Sequence, residues 1–113
     1  MIQPTDFRSV VSEVRQGYLN QILTTVNDHA VHISVMDGPY FWHVHPESDE
    51  TFIMLEGILI IDFDDGPVEL HPGQILTVPA RTRHRTRPAG ARSVNLTVEN
   101  ANATTMRCDA PSR

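Results

Sequence analysis

From Ala30 onward, apolar residues alternate with polar ones in short runs that are interrupted by glycine, proline and aspartate. Val31, Ile33 and Val35 recur at every second position, which is the period of a β-strand with one buried face. The interruptions fall at residues 37–39, 56–57, 64–67, 71–73 and 88–90. Short strands joined by tight turns are typical of an antiparallel sandwich or barrel. No helix-length pattern lies between the runs, so a parallel β/α fold is not expected.

The segment before this region carries one helical pattern. Apolar residues at helical spacing predict a helix over residues 5–16, with Thr5 or Asp6 as its cap and Gly17 at its end. A strand is predicted over residues 18–26. The chain of 113 residues is long enough for one domain. Its predicted parts are the helix and lead-in strand (1–29), a β-barrel (30–99) and a flexible C-terminal tail (100–113).

His43 and His45 are the first candidates for a metal site. Residues two apart on a strand project from the same face, ~6–7 Å apart along the chain, so both rings can reach one ion. Three carboxylates follow in residues 46–50. Two imidazoles and one carboxylate can hold a divalent first-row metal and leave positions open for a ligand. For Glu47 and Asp49, a solvated turn is the favoured interpretation.

The remaining histidines outside this run carry weaker signals. His29 and His71 stand beside turn residues and are expected at the surface. His32 lies in a β-pattern and faces either the core or a pocket.

The spacing of the candidate residues resembles the two sequence motifs of the cupin family. The first motif is matched by Gly38, His43, His45, Glu50 and Gly57. The second is matched by Gly73, Pro79 and His84, after 15 intervening residues. Two positions depart from the family pattern, since Arg81 replaces a glycine and Pro88 replaces an asparagine. The resemblance covers residues 30–99.

This resemblance implies a small stand-alone cupin. The implied fold is an all-β, double-stranded β-helix, an RmlC-like jelly-roll barrel, with a short N-terminal helix. The implied metal ligands are His43, His45, Glu50 and His84. Iron, manganese, nickel, copper and zinc can all accept three histidines and a carboxylate, so the divalent ion is not chosen by the ligand types. Some such cupins carry labels such as sugar-phosphate isomerase-like.

Side chains that share a strand face with the ligands are expected to wall a pocket. Alternation along each strand places Phe41 with His43, Phe52 and Met54 with Glu50, and Thr86 with His84, and His32 joins them if it faces the pocket rather than the core. A small-molecule site of this kind is usually apolar with a few polar groups. The residues predicted to bind a substrate are Phe41, Phe52, Met54, Thr86 and His32.

All nine basic residues are arginines, and the absence of lysine excludes Schiff-base chemistry and a P-loop. Four of them alternate along residues 81–87 and would point outward if His84 points inward. They could form a rim that attracts anionic substrates. The favoured interpretation is a charged edge strand, solvated or paired with acids of a second subunit. The rest of the chain is acidic, so nucleic-acid binding is not expected.

A cytoplasmic location is expected. The single cysteine, Cys108, cannot form an intramolecular disulfide, and no apolar run approaches the ~18 residues of a membrane span. Residues 1–14 lack the pattern of a secretory signal. No membrane partner is therefore expected.

Three functions fit such a barrel. The first is a metal-dependent dioxygenase, decarboxylase or isomerase acting on a small oxygen-rich molecule. The second is a domain that binds or senses a small ligand without turnover, and the third is a scaffold with a structural metal. A homodimer is expected, because a small barrel gains stability by burying one face. Outward residues that could serve such an interface or lie under the helix are Trp42, Val44, Ile53 and Leu55.

Overall fold

The computed structural model describes residues 1–112, which form ten β-strands and one short helix. The helix α1 spans Phe7–Glu13. The strands are β1 (Leu19–Val26), β2 (His29–Met36), β3 (His43–Val44), β4 (Glu50–Glu56), β5 (Leu59–Phe63), β6 (Gly66–Leu70), β7 (Ile75–Val78), β8 (Arg85–Pro88), β9 (Ser93–Asn100) and β10 (Met106–Arg107). The predicted all-β architecture with a short N-terminal helix is confirmed, and β1 is the strand predicted over residues 18–26.

The strands form three antiparallel sheets. The largest has the order β1-β2-β9-β4-β7, the second has the order β6-β5-β8, and β10 pairs with β3. A backbone bridge between His43 and His84 joins β3 to the chain just before β8. Strands far apart in sequence thus become neighbours, as β9 does between β2 and β4, and this crossover arrangement brings the two predicted motif regions together.

Two hydrophobic clusters lie on opposite faces of the five-stranded sheet. The inner cluster, between the sheets, contains Met36, Phe52, Met54, Leu59, Ile61, Leu70 and Val78. The outer cluster joins Ile33, Val35 and Val94 to apolar residues of α1 and β1. Strand β2 is therefore buried on both faces over its second half, since Ile33 and Val35 face the helix. Covering this outer face is the structural role of the amphipathic helix.

The helix is shorter than the predicted span of residues 5–16. Asp6 is its N-cap and accepts a hydrogen bond from the Arg8 backbone nitrogen, as one of the two predicted caps. At the other end Val14 is extended, with φ −97° and ψ 98°. The Arg92 guanidinium donates to the carbonyl oxygens of Val11 and Val14. This side chain satisfies carbonyls that a longer helix would have paired internally, so the helix ends there.

The C-terminal segment does not form the predicted flexible tail. Residues 101–108, which we call the C-terminal strap, run back along β3, where Met106 pairs with Val44 and Arg107 with His43. The Cys108 backbone nitrogen then donates to the Trp42 carbonyl oxygen at 2.9 Å. The backbone groups of a short edge strand need partners, and the strap supplies them. The polar composition of these residues therefore did not predict that they pair with β3.

In residues 1–112 no helix is long and apolar enough to cross a membrane.

Candidate metal centre

The four predicted metal ligands converge at one end of the barrel. His43 and His45 stand in and after β3, Glu50 begins β4, and His84 precedes β8. The bridge between His43 and His84 consists of two backbone hydrogen bonds of 3.0 Å, so these residues sit directly opposite each other. One potential ligand atom from each of the four residues lies within 4.8 Å of all the others. All four residues are buried.

Backbone carbonyl groups fix the orientation of all three imidazole rings. The Nδ1 atoms of His43, His45 and His84 lie 2.7, 3.0 and 2.8 Å from carbonyl oxygens. These oxygens belong to Phe41, Thr104 and Thr82, respectively. A carbonyl oxygen only accepts, so each Nδ1 carries a hydrogen and a neutral ring presents its Nε2 lone pair to the centre. This is the arrangement that metal-binding histidines commonly have.

The Nε2 atoms point at a carboxylate. Glu50 Oε1 lies 3.3 Å from Nε2 of both His45 and His84. The atom His45 Nε2 is buried and, despite this proximity, is not aligned for a hydrogen bond. Lone pairs that face a carboxylate without hydrogens between them repel, so the geometry favours a cation among these atoms.

The pKa values of the cluster without a metal also indicate that a positive charge is needed among these atoms. Burial raises the pKa of Glu50, but His45 and His84 outweigh it and lower the value to about 2. Burial lowers the pKa of His45, but the adjacent charge of Glu50 and the Thr104 carbonyl oxygen raise it to about 9. Burial dominates at His43 and lowers its pKa to about 4. Without a metal, one proton on His45 therefore balances the Glu50 charge.

The donor set fits a divalent first-row metal. Three neutral imidazole nitrogens and one carboxylate oxygen are ligand types that iron, manganese, nickel, copper and zinc accept. The buried, unpartnered His45 Nε2 is the observation that tests this fit. The cluster could therefore bind such an ion.

A cavity of about 380 Å³ opens onto this cluster. Its lining residues include the ligands His43, His45 and Glu50. Of the residues predicted to bind a substrate, Phe52, Thr86 and His32 line the cavity. The other lining residues are Tyr18, Asn20, Ser34, Met36, Tyr40, Asn95, Thr97, Glu99, Ala103 and Thr105.

Phe41 and Met54 are not among the cavity-lining residues, contrary to prediction. Alternation places Phe41 beside His43 only if the strand extends that far, but β3 begins at His43. The Phe41 ring packs edge-on against the His43 ring at 5.7 Å, stacks on Tyr40 and lies under the Arg107 guanidinium. Met54 does point inward but belongs to the inner hydrophobic cluster, deeper in the barrel.

Comparison with known proteins identifies the family. A family model of the cupin domain matches residues 29–98, more than half of the chain. The chain is a cupin. It is 44% identical over 99 residues to the uncharacterised protein YdbB of Bacillus subtilis (strain 168), covering 87% of each chain.

Two solved structures share the cupin fold of this chain. A conserved protein with a double-stranded β-helix domain from Klebsiella pneumoniae superposes with a TM-score of 0.80 at 17% identity, over 97% of this chain and all of that one. The polyketide cyclase RemF from Streptomyces resistomycificus gives a TM-score of 0.71 at 18% identity, over 88% of this chain and 79% of that one. At such identities the likeness shows the fold, which is the predicted double-stranded β-helix.

Two positions of the cupin motifs illustrate why glycine stands there in the family. Gly57 has φ +73°, and a Cβ at this position would overlap the carbonyl oxygen of Arg92. Arg81, which replaces the second-motif glycine, also has a positive φ of 66°. Its backbone nitrogen donates to the His45 carbonyl oxygen at 3.0 Å. Arg81 therefore adopts a left-handed backbone conformation that glycine adopts more readily.

The polar residues on the cavity wall were not predicted from the sequence. Strand β9 alone contributes three of them, Asn95, Thr97 and Glu99. They alternate with Val94, Leu96 and Val98, so their common face was readable from the sequence. The prediction assumed that the barrel interior takes the apolar set, whereas in β9 Val94 and Leu96 pack in the outer cluster under the helix.

Three of the four arginines of residues 81–87 pair with acids of the same chain. Arg85 and Arg87 both bind Asp62 of β5, at 3.0 and 2.8 Å. Arg83 makes two hydrogen bonds with Asp64, at 2.8 and 3.0 Å. Strand β8 is an edge of its sheet, as the favoured interpretation required. None of the four arginines is among the residues that line the cavity.

The remaining candidates lie outside the cavity. Glu47 is exposed and accepts hydrogen bonds from the backbone nitrogen and hydroxyl of Thr104. Asp49 is exposed and accepts from the Ala80 backbone nitrogen. His71 is exposed, and His29 is exposed although it begins β2 rather than lying in the turn.

Proposed function

We propose that this cupin is a metal-dependent enzyme that acts on a small oxygen-rich molecule. The observation that carries the proposal is the convergence of three Nε2 atoms and one carboxylate oxygen beside an open cavity. Four protein ligands leave two positions of an octahedral ion for a substrate. An ion held by His43, His45, Glu50 and His84 would polarise a substrate oxygen or, if redox-active, support oxygen chemistry. Dioxygenase, decarboxylase and isomerase reactions all fit this description.

We assign His32 the role of a proton acceptor in this reaction. Its ring lines the cavity, and its Nδ1 lies 2.8 Å from Asn20 Oδ1. The amide oxygen accepts, so Nδ1 carries the hydrogen and Nε2 can take a proton from a substrate. Burial lowers the pKa of His32 from its ordinary value of 6.5, so the ring is uncharged at neutral pH. Glu47 does not compete for this role, because it is outside the cavity and engaged by Thr104.

Elemental analysis of tag-free protein tests the proposal first. We expect about one equivalent of a divalent first-row metal, lost in His84→Ala. Protein reconstituted separately with iron, manganese, nickel, copper and zinc is then assayed for oxygen consumption, carbon dioxide release and isomerisation. Turnover that is reduced in His32→Gln at unchanged metal content supports both roles. A wild type that stays metal-free overturns the proposal, and metal uptake without turnover makes the protein a ligand-binding cupin instead.

We also propose that the protein is a cytoplasmic homodimer. Strand β1 is an edge of the five-stranded sheet. Its residues Ile22 and Val26 are exposed to solvent over 54% and 57% of their surface. An edge strand with exposed β-branched side chains is a natural pairing surface. Light scattering should give a dimer that Ile22→Lys dissociates. A monomeric wild type would contradict the proposal.

A further inference from the structure

The inner face of β9 is unusual for a barrel because it is polar along its whole length. Asn95, Thr97 and Glu99 line the cavity, while Val94 and Leu96 pack in the outer cluster. A strand with this pattern buries polar side chains, which is unfavourable unless they find partners. The question is therefore which partners these side chains have.

Two of these side chains keep a buried oxygen without a partner. Asn95 is 1% exposed, its amide nitrogen donates to the Leu96 carbonyl oxygen at 3.3 Å, and its Oδ1 has no hydrogen-bond partner. Glu99 Oε2 is also buried without a hydrogen-bond partner. A buried acceptor left unpaired points to a donor that a bound molecule supplies.

The strand register arranges the polar side chains as a wall leading from the metal centre. Asn95 pairs with Ser34, which pairs in turn with Asn20 on β1. Thr97 lies between His32 on β2 and Phe52 on β4. Glu99 stands one step beyond the Val98–Thr51 pair, beside the ligand Glu50. A molecule that occupies the cavity beside the centre therefore lies next to acceptors and hydroxyl groups.

The charge of the wall disfavours an anionic ligand. The chain has no lysine, and no arginine of residues 1–112 lines the cavity. The nearby Arg83, Arg85 and Arg87 are paired with Asp64 and Asp62 instead. A phosphate group needs cationic or multiple backbone donors, and the carboxyl group of Glu99 would repel it. A divalent ion at the centre would repel an ammonium group, and the carboxylates of Glu50 and Glu99 beside it would offset the charge with which it attracts an anion.

We propose that the cavity binds an uncharged molecule with at least two hydroxyl groups, one at the metal centre and another that donates to Asn95 Oδ1. The inference rests on the proposed metal-dependent function and names the substrate class of that site. The volume of about 380 Å³ corresponds to about a dozen water molecules at ~30 Å³ each, which suits a small polyol or monosaccharide. Glu99 accepts from a further hydroxyl group next to Glu50.

The test uses zinc-loaded protein whose metal content is measured beforehand. Binding of xylitol and D-xylose is compared with binding of D-xylose 5-phosphate and D-glucosamine by NMR titration. The variant is Asn95→Leu, with Asn95→Val as a second variant in case leucine does not fit. The matched control is Ser93→Ala, because Ser93 is a fully buried residue on the same face of β9 whose Oγ also lacks a hydrogen-bond partner but which does not line the cavity. Its substitution removes the same kind of unpaired oxygen without touching the proposed binding wall.

We expect the two uncharged probes to bind at least tenfold more tightly than the phosphorylated and amino probes. Asn95→Leu or Asn95→Val should weaken that binding about tenfold, equivalent to about 1.4 kcal/mol, with metal content and the control unchanged. The same variants should raise Tm, since they remove an unpaired buried oxygen that only the ligand satisfies. This rise separates a binding role from a structural one.

Three results would overturn the inference alone: no binding of xylitol or D-xylose to zinc-loaded protein, binding of a charged probe as tight as theirs, or Asn95 variants that bind normally, whatever their Tm. Failure of the protein to take up any divalent metal would overturn the proposed function as well. Measuring the metal first keeps the two failures apart.

Discussion

Deleting residues 104–113 should weaken metal binding while the barrel stays folded. The deletion removes the Thr104 carbonyl oxygen, which accepts from His45 Nδ1 at 3.0 Å. It also removes β10 and the Thr104 groups that bind Glu47. The five-stranded and three-stranded sheets contain none of these residues, so the hydrophobic core keeps its contacts.

The size of the loss follows from the hydrogen bond at His45. A metal-bound imidazole is polarised, so its bond to a carbonyl resembles one to a charged group, about 1.5–3 kcal/mol. In the shortened protein water can replace part of this hydrogen bond. We therefore expect a loss near the lower end of that range, about 1.5 kcal/mol, which is about tenfold in metal affinity. Removing the hydrogen-bond partner of a metal-bound histidine generally lowers metal affinity or activity about 10–100-fold.

Competition with a chelator of known zinc affinity measures the effect. The matched control deletes only residues 109–113, which leaves the backbone bond from Cys108 to Trp42 and the whole strap in place. Glu47→Ala, which removes only the acceptor that holds Thr104, should shift affinity in the same direction by less. Equal zinc affinity of the two shortened proteins would refute the idea that the strap orients His45.

Three other predictions follow from the charge balance and the backbone. At pH 8, one unit below the His45 pKa of about 9, zinc binding should release about 0.9 proton from that ring. Calorimetry in buffers of different ionisation heat measures the release, and a value that is the same in His45→Ala would contradict it. Gly57→Ala should destabilise by about 1–3 kcal/mol, because φ is +73° and a Cβ would overlap the Arg92 carbonyl oxygen; an unchanged urea midpoint would disprove this. Asp62→Asn should lower the free energy of unfolding by about 2 kcal/mol at pH 7, because the hydrogen bonds from Arg85 and Arg87 to the carboxylate are lost. The Asp62 pKa is lowered in the folded protein. The loss of stability in the variant should therefore be complete above pH 3.8, the ordinary pKa of the group, and should shrink at lower pH. A loss that persists at pH 2 would argue against an ionic origin.

Part of the metal cluster was predictable from local spacing in the sequence. His43 and His45 share a face at any position along a strand, and the turn after them returns the chain so that Glu50 begins the next strand. The partnership of His84 was not derivable from local spacing, and the family resemblance supplied it. In the structure it depends on the backbone bridge to His43.

The strap was unpredictable for a different reason. Its composition is that of a solvated end, and its contacts are backbone pairing with β3 and a single carbonyl oxygen on His45. Backbone groups are present at every residue and leave no mark in the sequence. Phe41 contacts the His43 ring without lining the cavity, because β3 begins only at His43 and strand alternation does not fix the direction of the residue before it.

The character of the cavity wall follows from the N-terminal helix. An amphipathic helix must cover an apolar surface, and α1 covers the outer face of the five-stranded sheet through Val35, Val94 and Leu96. Once those positions are taken by the helix, alternation leaves the remaining residues of β9 for the interior. These are the polar ones, with Asn95 among them. The helix predicted from the sequence therefore already implied a cavity lined by hydrogen-bonding groups rather than the apolar pocket first expected.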